Sequence, residues 1–246
     1  MALFGFDLVS LANLRHYLRF KRHLRQWKRS GGHITKKYPI LSDFRGEAGV
    51  ARGHYFHQDL LVATRIAQSS PRRHIDIGSR IDGFVAHVAS FRQIELLDIR
   101  ELNSSDYPNI IYKQADITNP RSIAGIQTDS LSCLSVLEHL GLGRYGDIIN
   151  PKGHIVGFNS LLQLLEIGGT MYLSFPIGKR NEIHFNAHRV FHPLDILGWS
   201  EGIKSLQLAG FDFVDDKGHL HQNVDLLASQ IDCTFGCGIY TFVKNA

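Results

Sequence analysis

Three cysteines, two methionines, two tryptophans and seven prolines in 246 residues leave little that could staple or interrupt the chain. Cys133 lies in an apolar run, as a buried thiol does, and Cys233 and Cys237 stand four apart with no second pair near them. Two such ligands do not make a metal site, so no metal is expected. Disulfide stapling is not expected either, which points to a reducing, cytoplasmic compartment. No apolar stretch reaches the roughly 18 residues of a membrane span. The opening Met1–Phe6 is apolar, but it lacks a basic segment before it and a clear cleavage site after it, so no secretory signal is expected. Acidic residues are missing between Leu8 and Ser42, where nine Lys and Arg occur. Set against a formal charge of +4, those nine leave the rest of the chain near −5. The positive charge is therefore local. It is not the spread-out basic face of a nucleic-acid-binding protein.

What is present is a globular composition, with 43% apolar and 20% charged residues, long enough to bury a full core. Leu11, Leu14, Leu18 and Leu24, followed by Trp27, recur at helical spacing among Arg15, Arg19, Lys21, Arg22, Arg25, Lys28 and Arg29, and Gly31-Gly32 stops the pattern. This predicts a basic amphipathic helix suited to packing on the domain, to oligomer contact, to an anionic membrane surface or to a charged polymer. Residues 1–50 are read as this helix with a Gly-rich connector, and 51–246 as one α/β domain. A helix is expected over 58–68. Strands are expected near 74–77, 94–98, 110–115, 130–135 and 169–175, with two late ones near 211–215 and 237–243. The alternation predicts a parallel sheet covered on both faces.

The chain is organised around His74-Ile75-Asp76-Ile77-Gly78-Ser79-Arg80-Ile81-Asp82-Gly83-Phe84, which reads as strand, glycine turn and helix. Gly78 lets backbone approach a ligand, and Gly83 allows close helix–strand packing. Asp98, at the end of the next apolar run, stands where a ribose diol would be held. Asp116, after the third strand, is placed either to accept an adenine amine or to cap the turn before Pro120. The fourth strand runs into Glu138-His139 and then a glycine-rich loop carrying Arg144, Tyr145 and Asp147. That crowding of ionisable groups at a strand's carboxyl end marks a site. After the fifth strand, His184, His188 and His192 repeat every four residues, but Gly178, Asn181, Asn186 and Pro193 argue against a long helix, and no metalloprotease pattern is present. Asn186, His188 and Arg189 suit contacts to a hydroxyl-rich or phosphorylated substrate.

These stretches resemble class I S-adenosylmethionine-dependent methyltransferases, in the usual order: Asp76-Ile77-Gly78-Ser79, Leu97-Asp98, Ala115-Asp116, Val136-Leu137-Glu138-His139 and Gly168-to-Ser174. More narrowly, Asp76-to-Gly83, Glu138-to-Asp147 and Phe185-to-Arg189 resemble a bacterial methyltransferase-like family often encoded among surface-polysaccharide genes. The likeness spans roughly residues 54–243. One departure is Arg80, where the wide family often has a second glycine. The resemblance implies a Rossmann-like, mostly parallel seven-stranded sheet with helices on both faces and its last strand antiparallel. It implies S-adenosylmethionine as cofactor, with Asp76, Gly78, Ser79 and Gly83 at the methionine end, Asp98 on the ribose, and Asp116 with Ile117 at the adenine. Glu138 and His139 would face sulfonium and acceptor.

His139 is the first choice of general base, because an imidazole titrates near operating pH, with His188 and Asp147 in reserve. Arg144, Tyr145, Asn186 and Arg189 are the candidate substrate contacts. The expected activity is O-methylation of a sugar of a cell-surface glycan or its precursor. The alternatives are a non-catalytic module of a membrane-associated glycan-assembly complex and a NAD-linked sugar oxidoreductase or epimerase. The last would need a G-x-G-x-x-G turn, and Gly78-to-Gly83 does not supply one. Expected partners are a small-molecule or glycan substrate, the inner face of a membrane through the basic helix, and another copy of the chain; no nucleic acid is expected.

Overall fold

The structure, a computed structural model, describes residues 14–46, 48–102 and 106–245. Leu11 and the apolar Met1–Phe6 therefore lie outside the described residues. Contacts divide the chain into two units, Met1–Ala51 and Arg52–Ala246.

In the first unit a turn of 3-10 helix at Leu14–His16 leads into helix α1, Tyr17–Arg29. The helix ends where Gly31 takes a positive φ of 84° and Gly32 passes over the Trp27 ring. A Cβ on Gly32 would collide with the indole, whose Nε1 donates to the His33 carbonyl at 3.2 Å. No residue of this unit is buried among those described.

The second unit is built on one eight-stranded sheet in the order β3-β2-β1-β4-β5-β10-β8-β9. Its strands are β1 His74–Ile77, β2 Ile94–Asp98, β3 Ile110–Gln114, β4 Thr128–Leu134, β5 Leu165–Ile177, β8 Leu206–Val214, β9 Leu220–His221 and β10 Gly236–Lys244. Strands β1 to β5 pair in parallel, whereas β10 lies antiparallel between β5 and β8. The eighth strand is the two-residue β9, paired to β8 at the edge, too short to read from sequence. A separate hairpin joins β6 Glu182–His184 to β7 His188–Val190. The four-residue histidine spacing thus belongs to a hairpin: His184 and His188 face each other across it, Nδ1 to Nε2 at 3.1 Å.

Each face of the sheet has its own core. Helix α2, His54–Ser69, packs Val62, Ala63 and Ile66 with Phe84, Val85 and Val88 against Leu96, Leu134, Tyr172 and Ile239. The last three of those helical residues belong to the turn Ile81–Val85 and the short helix α3, Ala86–Ala89. On the opposite face helix α4, Gly153–Leu164, lays Phe158 and Leu161 over Ile75, Ile77, Leu131 and Leu173. Trp199, Phe191, Phe175 and Tyr240 extend that layer, with Phe175 stacked on Tyr240 at 4.9 Å. Strand β1 is buried on both sides, as a central parallel strand must be. Ile75 and Ile77 meet α4, and His74 and Asp76 face α2. Those two polar side chains are tolerable only because neighbours satisfy them. The His74 ring touches Ser130 Oγ at 2.8 Å and Ser132 Oγ at 3.1 Å, and Ser132 Oγ donates to Asp76 at 2.5 Å. Among the described residues no helix is long and apolar enough to cross a membrane.

Candidate functional site

The site is built at the carboxyl ends of β1, β2 and β4, where open α/β sheets leave a crevice. At the end of β1 the chain turns at Gly78, φ +69°, whose N–H donates to the Leu97 carbonyl. A Cβ there would stand 3.0 Å from Val136 Cγ2, so the position needs glycine for both φ and space. Ser79 donates its N–H to Asp76 Oδ2 at 3.0 Å and its hydroxyl to Oδ1 at 2.9 Å. With Ser132 on the same oxygen, Asp76 is fully engaged in holding the turn. Its complete burial still outweighs these donors and pushes the carboxyl up to about 7.

At the end of β2, Asp98 is held by Arg100. The Arg100 backbone N–H donates to Oδ1 at 2.8 Å, and its guanidinium grips both oxygens. The same guanidinium reaches the Gly78 carbonyl at 3.1 Å and lies 5.2 Å over the Tyr145 ring. After β3, Asp116 Oδ1 accepts from Thr118 N–H and hydroxyl at 2.8 and 2.7 Å, while Ile117 is buried. The cap before Pro120 is Asn119, which receives Arg121 N–H.

Strand β4 delivers Glu138 and His139 on a single 3-10 turn, Leu137–His139. Glu138 is 2% exposed, its Oε2 has no hydrogen-bond partner, and burial pushes the carboxyl up to about 8. Oε1 lies 3.7 Å from His139 Nε2. His139 Nδ1 is 2.7 Å from the Ala187 carbonyl. A carbonyl can only accept, so Nδ1 carries the hydrogen and Nε2 keeps its lone pair. Burial holds this imidazole down at about 4, with Arg144 adding to the effect.

Three sequence expectations take different places. Asp147 does not offer a free carboxylate, since Oδ2 accepts from Gly141 and Gly143 N–H and Oδ1 from Tyr145 N–H. It cinches the loop, whose Gly141 has a φ of +81° and runs against the Asn150 carbonyl. Arg189 is buried and donates to the carbonyls of Glu138, Leu140, Asn150 and Pro151 at 2.7 to 3.5 Å. Its fork props up the loop from behind and does not line the cavity. Asn186 is exposed in the β6–β7 turn, also off the cavity wall. Among the described residues no group of three His, Cys, Asp or Glu is arranged around a metal position.

All the other candidates except the fully buried Asp76 come together, and Asp147 reaches the wall as well. A cavity of about 660 Å³, within the usual range for small-molecule sites, is lined by Gly78, Ser79, Gly83, Asp98, Asp116, Ile117, Glu138, His139, Arg144, Tyr145, Asp147 and His188. Its wall also contains Arg80, the departure noted in the glycine turn, and residues that sequence reasoning missed: His54, Tyr55, Gln58 and Asp59 from α2, Arg100, and Phe235 and Cys237 at the start of β10. Gln58 and Asp59 carried a usable signal, because two polar residues sit on the buried side of an otherwise apolar helix. Gln58 Oε1 accepts from Ser174 and Ser135 at 2.7 and 3.2 Å, and its amide donates to Asp59 Oδ1 at 3.0 Å. Asp59 Oδ2 is the atom a Cβ at Gly83 would meet at 3.2 Å, and burial raises this carboxyl.

Sheet order, glycine turn and crevice together define a Rossmann-like fold of the S-adenosylmethionine-dependent methyltransferase type. Solved structures share it. A S-adenosylmethionine-dependent methyltransferase from Clostridium acetobutylicum superposes with a TM-score of 0.52 at 10% identity, over 78% of this chain and 93% of that one. The N-methyltransferase NodS of Bradyrhizobium japonicum, in complex with S-adenosylhomocysteine, gives 0.51 at 12%, over 79% and 89%. The 1,6-didemethyltoxoflavin-N1-methyltransferase of Burkholderia thailandensis gives 0.53 at 13%, over 76% and 79%. No curated protein matches the chain. Residues 109–243, more than half of the sequence, match the family described as "Caenorhabditis protein of unknown function, DUF268", and the chain belongs to that family. That description gives no support to the expected association with bacterial polysaccharide genes.

Proposed function

We propose that this protein is an S-adenosylmethionine-dependent methyltransferase acting on a hydroxyl acceptor, with His139 as general base. The observation that carries the base assignment is the His139 tautomer: Ala187 fixes the hydrogen on Nδ1 and leaves Nε2 as a lone pair in the cavity, beside Glu138. When bound, the cofactor supplies an electrophilic methyl group and a good sulfide leaving group. The residues present fit it. Gly78 gives backbone clearance, and Asp98 and Asp116 line the cavity for ribose and base. Asp59, a buried carboxylate beside the glycine turn, suits the α-ammonium, since a buried carboxylate calls for a cation. Engaging Asp98 requires Arg100 to share or release it. His139 stays neutral at physiological pH and takes the hydroxyl proton at Nε2. Alignment of methyl group and hydroxyl in the cavity contributes the larger part of the rate, on the order of 7–11 kcal/mol.

A sugar of a cell-surface glycan or its precursor is our acceptor of choice. The Glu138-to-Asp147 resemblance supports it, together with a wall whose rings and polar tips (Tyr55, Tyr145, His188) suit the apolar faces and hydroxyls of a pyranose. A second reading, a non-catalytic module, is favoured by one observation, the closed Arg100–Asp98 pair. Calorimetric titration with S-adenosylmethionine and S-adenosylhomocysteine, beside Asp98→Ala, separates the two. Saturable binding that is lost in the variant supports the enzyme; no binding by the folded wild type supports the module.

A further inference from the structure

Helix α1 places Tyr17, Phe20, Leu24 and Trp27 at spacings of three, four and three residues, which makes one longitudinal stripe. The Tyr17 and Phe20 rings stack at 5.9 Å along it. The rest of the circumference carries six cations, Arg19, Lys21, Arg22, Arg25, Lys28 and Arg29, and the helix contains no acidic residue. Like charges three and four residues apart, such as Lys21 with Arg25 and Arg25 with Lys28 and Arg29, destabilise an isolated helix. Among the described residues no side chain of α1 is fully buried, although Arg19 lies over the Phe44 ring, and Tyr17 and Trp27 of the stripe remain 41% and 58% exposed. Both faces of the helix call for a counter-surface that is negative at its boundary and apolar just beneath.

We propose that α1 lies in the headgroup layer of an anionic phospholipid bilayer, with its Tyr17–Trp27 stripe inward and its Lys and Arg side chains on the lipid phosphates. A helix of 13 residues is about 20 Å long and lies along the surface without spanning it. Tyr and Trp favour the boundary between hydrocarbon and water, and long basic side chains keep their heads in the polar layer while their stems cover apolar surface. The continuous apolar stripe decides against nucleic acid, whose phosphates would engage the cations and leave the stripe uncovered.

Trp27 reports on the proposal directly, since the other tryptophan, Trp199, is buried. The full chain is mixed with vesicles of phosphatidylcholine alone, of phosphatidylcholine with phosphatidylserine, or with poly-uridylate RNA. Expected are sedimentation with the serine-lipid vesicles only, a blue shift of Trp27 fluorescence, and loss of both at high salt. The Arg22→Glu/Arg25→Glu variant is expected to lose at least about tenfold in partitioning. Trp27→Phe should still sediment but show no shift, and both variants should melt with the wild type. If the double variant does not fold, Lys21→Gln/Lys28→Gln takes its place. The proposal is overturned by absence of partitioning, by partitioning that ignores the charge changes, by tighter binding of RNA than of vesicles, or by a Trp27 shift that self-association produces without lipid.

Discussion

Two buried carboxylates belong to neighbouring strands, and they are treated in opposite ways: Glu138 lines the cavity, whereas Asp76 lies behind the glycine turn that does. Asp76, within β1, receives Ser79 twice and Ser132 once, and the turn that follows it is fixed. Glu138, after β4, has an oxygen with no partner and a histidine 3.7 Å from the other. Both are buried and both are pushed towards the protonated form. A saturated carboxyl holds a loop in place; a starved one is left for something that comes and goes. The difference teaches where to look for chemistry, and it can be broken or sharpened by substitution.

The largest effect should come from the starved side. His139→Ala is expected to cut turnover by about 10²–10⁴-fold while leaving S-adenosylhomocysteine binding intact. In the wild type kcat/KM should rise with pH through about 4 and then flatten; a limb near 8 instead would make Glu138 the base. On the saturated side Asp76→Ala should cost stability, roughly 2–3 kcal/mol by urea unfolding, because it strands the Ser79 and Ser132 donors in the core. Wild-type stability would deny Asp76 its structural part. Next comes Asp59→Asn, expected to weaken S-adenosylhomocysteine by about tenfold, as loss of one charged contact does. It should leave 5′-methylthioadenosine, which has no ammonium, unchanged; equal losses on both would dismiss the Asp59 contact. A further signal is a pH trend. A Glu138 carboxyl at about 8 in the fold and 4.5 when unfolded binds more protons folded, so wild-type stability falls as pH climbs through that window. Glu138→Gln does not titrate, and its melting temperature relative to wild type should move upward from about pH 5 to about pH 8. A pH-independent difference would show that Glu138 is not held neutral.

The same contrast explains what the sequence revealed. Strands β1, β2 and β4 and the Gly78 turn are local patterns, and they sit within a few residues of their expected places. Glu138 and His139 were legible because they end a strand next to a glycine-rich loop. Asp147 and Arg189 were read as free polar groups, but their partners are backbone amides and carbonyls brought in by the loop's own folding. No spacing rule contains that. Arg100 and Phe235 reach the cavity from the end of β2 and from a strand start far apart in sequence, so only the assembled sheet shows them.

The position of β10 has a further consequence. It is the strand nearest the carboxyl end of this chain, yet it pairs along its whole length with β5 on one side and β8 on the other. During synthesis those two strands leave the ribosome well before the segment that joins them. Until Gly236–Lys244 arrives, each presents a bare edge, and such edges invite pairing with the wrong chain. The nascent protein is therefore exposed to misassembly until β10 fills the gap between β5 and β8.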